Sequence, residues 1–186
     1  MKIFLFPFIF LSLLVSGCTS VKYQGLDAAA FSDGSPESRE VSFLINYNNV
    51  KYNRFLQKQV FDKYLTEELS ISGFNQVGKG IVSKGFSVEA IINLERSTDW
   101  LSFFAYMITL SIYPASGDNI VSFDVDYYKD KEKLRSVTYQ GSYVDYVSAY
   151  FPTPLFMGDS ANDFMRKLAT DLADNIARDF PDQADY

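Results

Sequence analysis

Histidine is absent from the 186 residues, and there is one cysteine and one tryptophan. The missing imidazole removes Ser-His-Asp and Cys-His nucleophilic catalysis, the usual base near neutral pH and most zinc or iron sites. Any enzyme built on this chain works with carboxylates, lysines, tyrosines or serines. A single cysteine, Cys18, excludes an internal disulfide in any redox compartment. Positive charge is also scarce, with 17 Lys and Arg against 23 Asp and Glu and a formal net charge of −6. An acidic surface repels nucleic-acid phosphates, so nucleic acid is excluded as a partner. No Gly-rich phosphate loop, EF-hand loop or Walker pattern is present. Aromatic residues, by contrast, make up 17% of the chain. They are a rich supply for a core or an interface.

The first eighteen residues have a basic start at Lys2 and an apolar run from Ile3 to Val15 broken only by Pro7 and Ser12. Small residues then lead into Cys18. Signal peptides have this anatomy. A transmembrane helix needs about 20 apolar residues, more than Ile3–Gly17 provides. The ending Val15-Ser16-Gly17-Cys18 resembles the lipobox of bacterial lipoproteins. The resemblance implies cleavage between Gly17 and Cys18, lipidation of the Cys18 sulfur and acylation of the new amine. Loss of Lys2 leaves the mature chain one unit more negative. In Gram-negative bacteria an aspartate after the cysteine tends to retain a lipoprotein in the inner membrane. Thr19 at that position therefore points to the outer membrane, on its periplasmic face.

Residues 18–40, rich in Ser, Gly, Ala and charge, read as a lipidated flexible tether with a turn at Asp33-Gly34-Ser35-Pro36. A single α+β domain is expected over 41–181 and an acidic tail over 182–186. Val41, Phe43, Ile45 and Tyr47 alternate with Ser42, Leu44 and Asn46, which predicts a first strand. From Asn53 to Ser72 the apolar period becomes helical, and Gly73 supplies a left-handed stop. The polar side of this helix is not notably basic, so core packing is favoured over a membrane-surface role. Val77 to Gly80 reads as a short strand end and turn. Val88, Ala90, Ile92 and Leu94 predict one strand, and Val121, Phe123, Val125 and Tyr127 another. Lys129–Lys133 is a charged turn, and Arg135–Gln140 returns as the second arm of a hairpin. Phe164, Leu168, Leu172, Ile176 and Phe180 recur every four residues, which predicts a terminal helix. It opens with Ser160 and Asp163 as a capping box, closes at Pro181 and carries Asp171, Asp174 and Asp179 on a solvated back. The fold class is α+β: a two-layer sandwich with a mostly antiparallel sheet and two helices on one face.

Two stretches lie outside this grammar. Residues 100–114 hold no charge, and 143–157 hold one, Asp145. Each is read as covered core or as an exposed apolar contact surface. In the second case Trp100, Phe103, Phe104, Tyr106, Tyr113, Phe151, Leu155 and Phe156 form the surface. Pro152 and Pro154 exclude regular helix through the second stretch. For chemistry, the one constellation is Asp124 and Asp126, on the same side of a strand, with Glu89 and Glu95 on the polar side of another. They would share a cation or work as an acid/base pair, although carboxylates on a wet strand face are commonplace.

The resulting expectation is an outer-membrane-anchored, non-enzymatic lipoprotein without catalytic residues, metal or cofactor. Its partners would be the bilayer, through Cys18, and an envelope protein that it binds or scaffolds. The alternatives are a carboxylate-dependent envelope hydrolase centred on Asp124/Asp126 and a purely structural lipoprotein.

Overall fold

The computed structural model describes residues 18–27, 39–47, 50, 56–109, 114–148 and 158–181. Along the chain these form β1 (Cys18–Leu26), β2 (Arg39–Asn46), α1 (Lys58–Ile71), β3 (Phe74–Lys79) and β4 (Phe86–Thr98). There follow α2 (Trp100–Ile108), β5 (Ala115–Lys129), β6 (Glu132–Ser148) and α3 (Ala161–Asp179). The strands make one sheet of order β1-β6-β5-β4-β2-β3. β2 runs parallel to both β3 and β4, and the remaining pairs are antiparallel. Parallel neighbours need a crossover, which α1 supplies between β2 and β3. The fold is the expected α+β arrangement.

Alternation decides the faces. Val88, Ala90 and Ile92 of β4 and Val121, Phe123, Val125 and Tyr127 of β5 are buried. Against them lie Phe61, Leu65 and Leu69 of α1 and Phe164, Leu168, Leu172 and Ile176 of α3. Phe61 stacks on Phe123 with ring centroids 6.2 Å apart. At the end of α3, Phe180 packs on Phe74, Phe86 and Tyr127. Ser160 caps α3 as expected, its hydroxyl accepting from the Asp163 N–H and donating to the Asp163 carboxylate. Gly73 takes φ 86° just after α1, also as expected.

Four expectations are corrected. The first part of the expected tether, Cys18–Leu26, is a strand paired antiparallel with β6 from Cys18↔Ser148 to Leu26↔Gly141. Its Ser, Lys and Gln residues mask the alternation of Thr19, Val21 and Tyr23. The α1 helix begins at Lys58 and not at Asn53: Leu56 reaches the core from outside the helix, and the Gln57 N–H meets Met165 Sδ at 3.3 Å. β6 runs on to Ser148, so Tyr143 and Asp145 belong to a strand and are both buried. Finally, the back of α3 is not uniformly solvated. Asp171 accepts from Tyr23 Oη at 2.8 Å and from the Leu26 N–H at 3.3 Å. Asp179 accepts from Tyr139 Oη at 2.8 Å and pairs with Arg178. Of the three aspartates only Asp174 is exposed.

These carboxylate contacts carry a pH signature. Desolvation, then the Asp171 hydrogen bond, raises the Tyr23 pKa well above the ordinary tyrosine value. Desolvation, then Tyr127 and Asp179, does the same for Tyr139. A raised pKa means that the folded state holds the proton more tightly. The associated stability is complete below the unfolded value of about 10 and is lost as pH rises above it. Urea midpoints should therefore fall above about pH 10, and Tyr23→Phe should flatten that fall. An unchanged slope in Tyr23→Phe would refute the linkage.

Candidate functional site

The charge-free stretch after β4 folds into α2. Asp99 sits at its N-cap in extended conformation (φ −74°, ψ 99°), and its carboxylate accepts from the Leu101 N–H at 3.0 Å. Thr109 ends the helix, its N–H and hydroxyl both donating to the Ala105 carbonyl. The one buried residue of α2 is Ser102. Its Oγ accepts from the Ser116 N–H at 3.0 Å and lies 3.2 Å from the Ser116 carbonyl. The last β4–β5 pair is Thr98↔Gly117, so this hydroxyl takes over the side of Ser116 where the ladder stops.

Six of the large side chains on α2 face outward. Leu101 is 80% exposed, Ile108 79%, Trp100 67% and Phe104 59%, and Phe103 and Met107 are exposed as well. Tyr106 is half-buried. Trp100 and Phe103 meet edge to face at 5.9 Å. A nine-residue helix is marginal on its own, and this one carries six large apolar groups into solvent on a hydroxyl anchor. Exposed large apolar side chains at this density are unusual on a soluble surface. In the described part of residues 100–114, Trp100, Phe103 and Phe104 are exposed and not covered by the sheet. Tyr113, Phe151, Leu155 and Phe156 lie outside the described residues, as does Gly17; Cys18 is the first residue of β1.

Leu101, Met107 and Ile108 belong to the same surface but were not singled out by aromatic content. Ser102 was also missed. Its signal was its size: on a helix apolar all round, the small hydroxyl residue is the one that can approach a strand backbone closely. Asp145, the one charge of residues 143–157, has no role in the sequence reading. Buried on β6, it accepts from Asn119 Nδ2 at 3.0 Å, and Arg96 reaches its other oxygen at 3.4 Å. The cluster needs Gly117, where a Cβ would stand 2.7 Å from Asp145 Oδ1.

The carboxylate constellation is arranged differently from an acid/base pair. Asp124 accepts from Asn93 Nδ2 at 2.9 Å and from Thr138 Oγ1 at 2.7 Å. Asp126 accepts from Ser136 Oγ at 2.5 Å and Lys133 Nζ at 2.7 Å. Register places Glu89 directly opposite Asp126, with Tyr128 Oη 3.4 Å from each, whereas Glu95 lies far along the strand opposite Ile120. Partial desolvation opposes ionisation of Asp126, but Lys133, Ser136 and Tyr128 together hold its carboxyl below the ordinary range. Such a group is ionised at neutral pH and has no proton to give as a general acid. A cleft of about 380 Å³ around Glu95, Arg96, Asn119 and Ser142 does not include either aspartate. Among the described residues no three His, Cys, Asp or Glu side chains are grouped to hold a metal ion.

Fold and surface thus define an α+β domain with an exposed, charge-free helix at one end of its sheet. The sequence matches no protein-family model and no curated protein. Among solved structures the chain is similar to rare lipoprotein B from Shewanella oneidensis, with 15% identity, TM-score 0.40 and coverage of 74% of this chain and 89% of that one. It is similar also to a minor lipoprotein from Acinetobacter baumannii, with 11% identity, TM-score 0.39 and coverage of 77% and 91%. A third is the PelC dodecamer from Paraburkholderia phytofirmans, with 8% identity, TM-score 0.34 and coverage of 84% and 98%. At these identities and TM-scores the likenesses carry no functional weight.

Proposed function

We propose that this chain is a lipoprotein anchored in the outer membrane through acyl chains on Cys18, facing the periplasm. There it acts as a non-enzymatic binding or scaffold module for an envelope component. The observation that carries the binding role is α2, whose exposed Trp100, Leu101, Phe104 and Ile108 form an apolar surface without a charge. The lipobox-like Val15-Ser16-Gly17-Cys18 supports the anchor, and Thr19 supports the outer membrane as its address. Against the hydrolase alternative, Asp124 and Asp126 are each occupied by their own donors, and neither lines the cleft around Glu95 and Asn119.

Intact mass of the protein extracted from membranes tests the anchor. The expected species begins at acylated Cys18 and fractionates with outer membranes, and Cys18→Ala abolishes both properties. More than one acyl chain gives stable anchoring, at about 0.8 kcal/mol per buried methylene. An unmodified cysteine, or a mature start elsewhere, would overturn the proposal.

A further inference from the structure

We infer that the α2 face is seated on phospholipid, at the surface of the same membrane that holds the Cys18 acyl chains. This inference rests on the anchored reading and names the occupant of its contact surface. Strand register supplies the geometry. Cys18 pairs with Ser148 at the very start of β1, so no linker separates the acylated residue from the sheet. Thr19, Val147 and Ala115 lie in one row across β1, β6 and β5, and Val21, Asp145, Gly117 and Thr98 lie in the row two residues further in. Neighbouring strands are about 4.8 Å apart, which places the start of β5 about 10 Å from the start of β1. α2 begins two residues after Thr98, and Ser102 ties it to Ser116 at the start of β5. The end of the sheet that carries the anchor is therefore the end that carries α2. Acyl chains on Cys18 in a bilayer bring that end to headgroup depth.

The chemistry of α2 fits that depth. Its nine residues carry no charge in an acidic protein, so the helix itself adds no repulsion from an anionic membrane. Asp99, next to it, caps the helix by accepting from the Leu101 N–H. Trp and Tyr are the residues favoured at membrane interfaces, and α2 has Trp100 and Tyr106 among Leu, Phe, Met and Ile. Interfacial helices bury their apolar side about 5–10 Å into the headgroup boundary. Among the described residues no helix is long and apolar enough to cross a membrane. Contact in the plane of the surface is the mode open to α2.

The test uses the full-length protein, purified from membranes, checked by intact mass and reconstituted into phosphatidylethanolamine/phosphatidylglycerol vesicles. Some vesicles carry lipids brominated near the headgroup, others lipids brominated near the acyl-chain ends. Trp100 is the only tryptophan, so its emission reports α2 alone. We expect shallow bromines to remove about half of the Trp100 emission and deep bromines to remove little. Leu101→Glu and Phe104→Glu, at exposed positions, should leave the protein acylated and floating with the vesicles while removing that quenching. Acylated protein that floats with vesicles but keeps full Trp100 emission overturns the inference and leaves the anchor standing. Protein whose Cys18 carries no acyl chain overturns the anchored reading itself, and the inference with it.

Discussion

Leu172→Ala should lower the unfolding free energy by about 2–5 kcal/mol, through lost transfer energy and the cavity left behind. Leu172 is fully buried at the centre of the row Phe164, Leu168, Leu172 and Ile176, which lays α3 on the sheet. Asp174, two residues on and exposed, is the control, and Asp174→Ala should change stability by less than about 0.5 kcal/mol. Comparable losses at the two positions in urea unfolding would show that α3 is turned differently on the sheet.

The second large effect is expected at Gly141. A Cβ there would stand 2.4 Å from the Gly25 carbonyl oxygen and 2.9 Å from Leu26 Cδ2. The obstacle is backbone, which cannot rotate away as a side-chain tip can. Gly25 itself takes φ 93° where the β1–β6 register shifts between Tyr23 and Leu26, so β1 and β6 approach through two glycines. Gly141→Ala should separate the strands there and cost about 1–3 kcal/mol, the range for overpacking. Gln140→Ala, at the exposed neighbour, should cost less than about 0.5 kcal/mol. Amide exchange should show the loss of protection centred on residues 23–26. Uniform loss across the sheet, or none, would contradict the close-approach account.

The elements readable from sequence were those with an uninterrupted apolar period. α3 announces itself through Phe164, Leu168, Leu172 and Ile176, and β4 and β5 through strict alternation, because one face of each is buried along most of its length. β1 was not readable: Ser20, Lys22 and Gln24 fill its alternate positions, and Gly25 breaks its register. Its burial depends on β6 and on Asp171 of α3, partners far away in sequence. The position of Asp171 and Asp179 on α3 was visible, but not the hydroxyls of Tyr23 and Tyr139 that meet them. For α2 the missing charge was legible while its exposure was not, since a charge-free run has the same composition in a core as on a surface. What decides its exposure is that β4 and β5 stop pairing at Thr98↔Gly117, leaving Ser116 to hold the helix.

The functional account requires an anchor, an ordered sheet starting at that anchor and a free apolar helix beside it.

The account stands or falls on whether α2 is surface or core, and unfolding of Phe104→Glu measures this directly. Phe104 is 59% exposed. A glutamate there should leave the urea unfolding free energy within about 1 kcal/mol of wild type, since substitutions at exposed positions seldom cost more. A loss of about 3–5 kcal/mol, the cost of truncating a buried phenylalanine, would place α2 in the core and remove the contact surface.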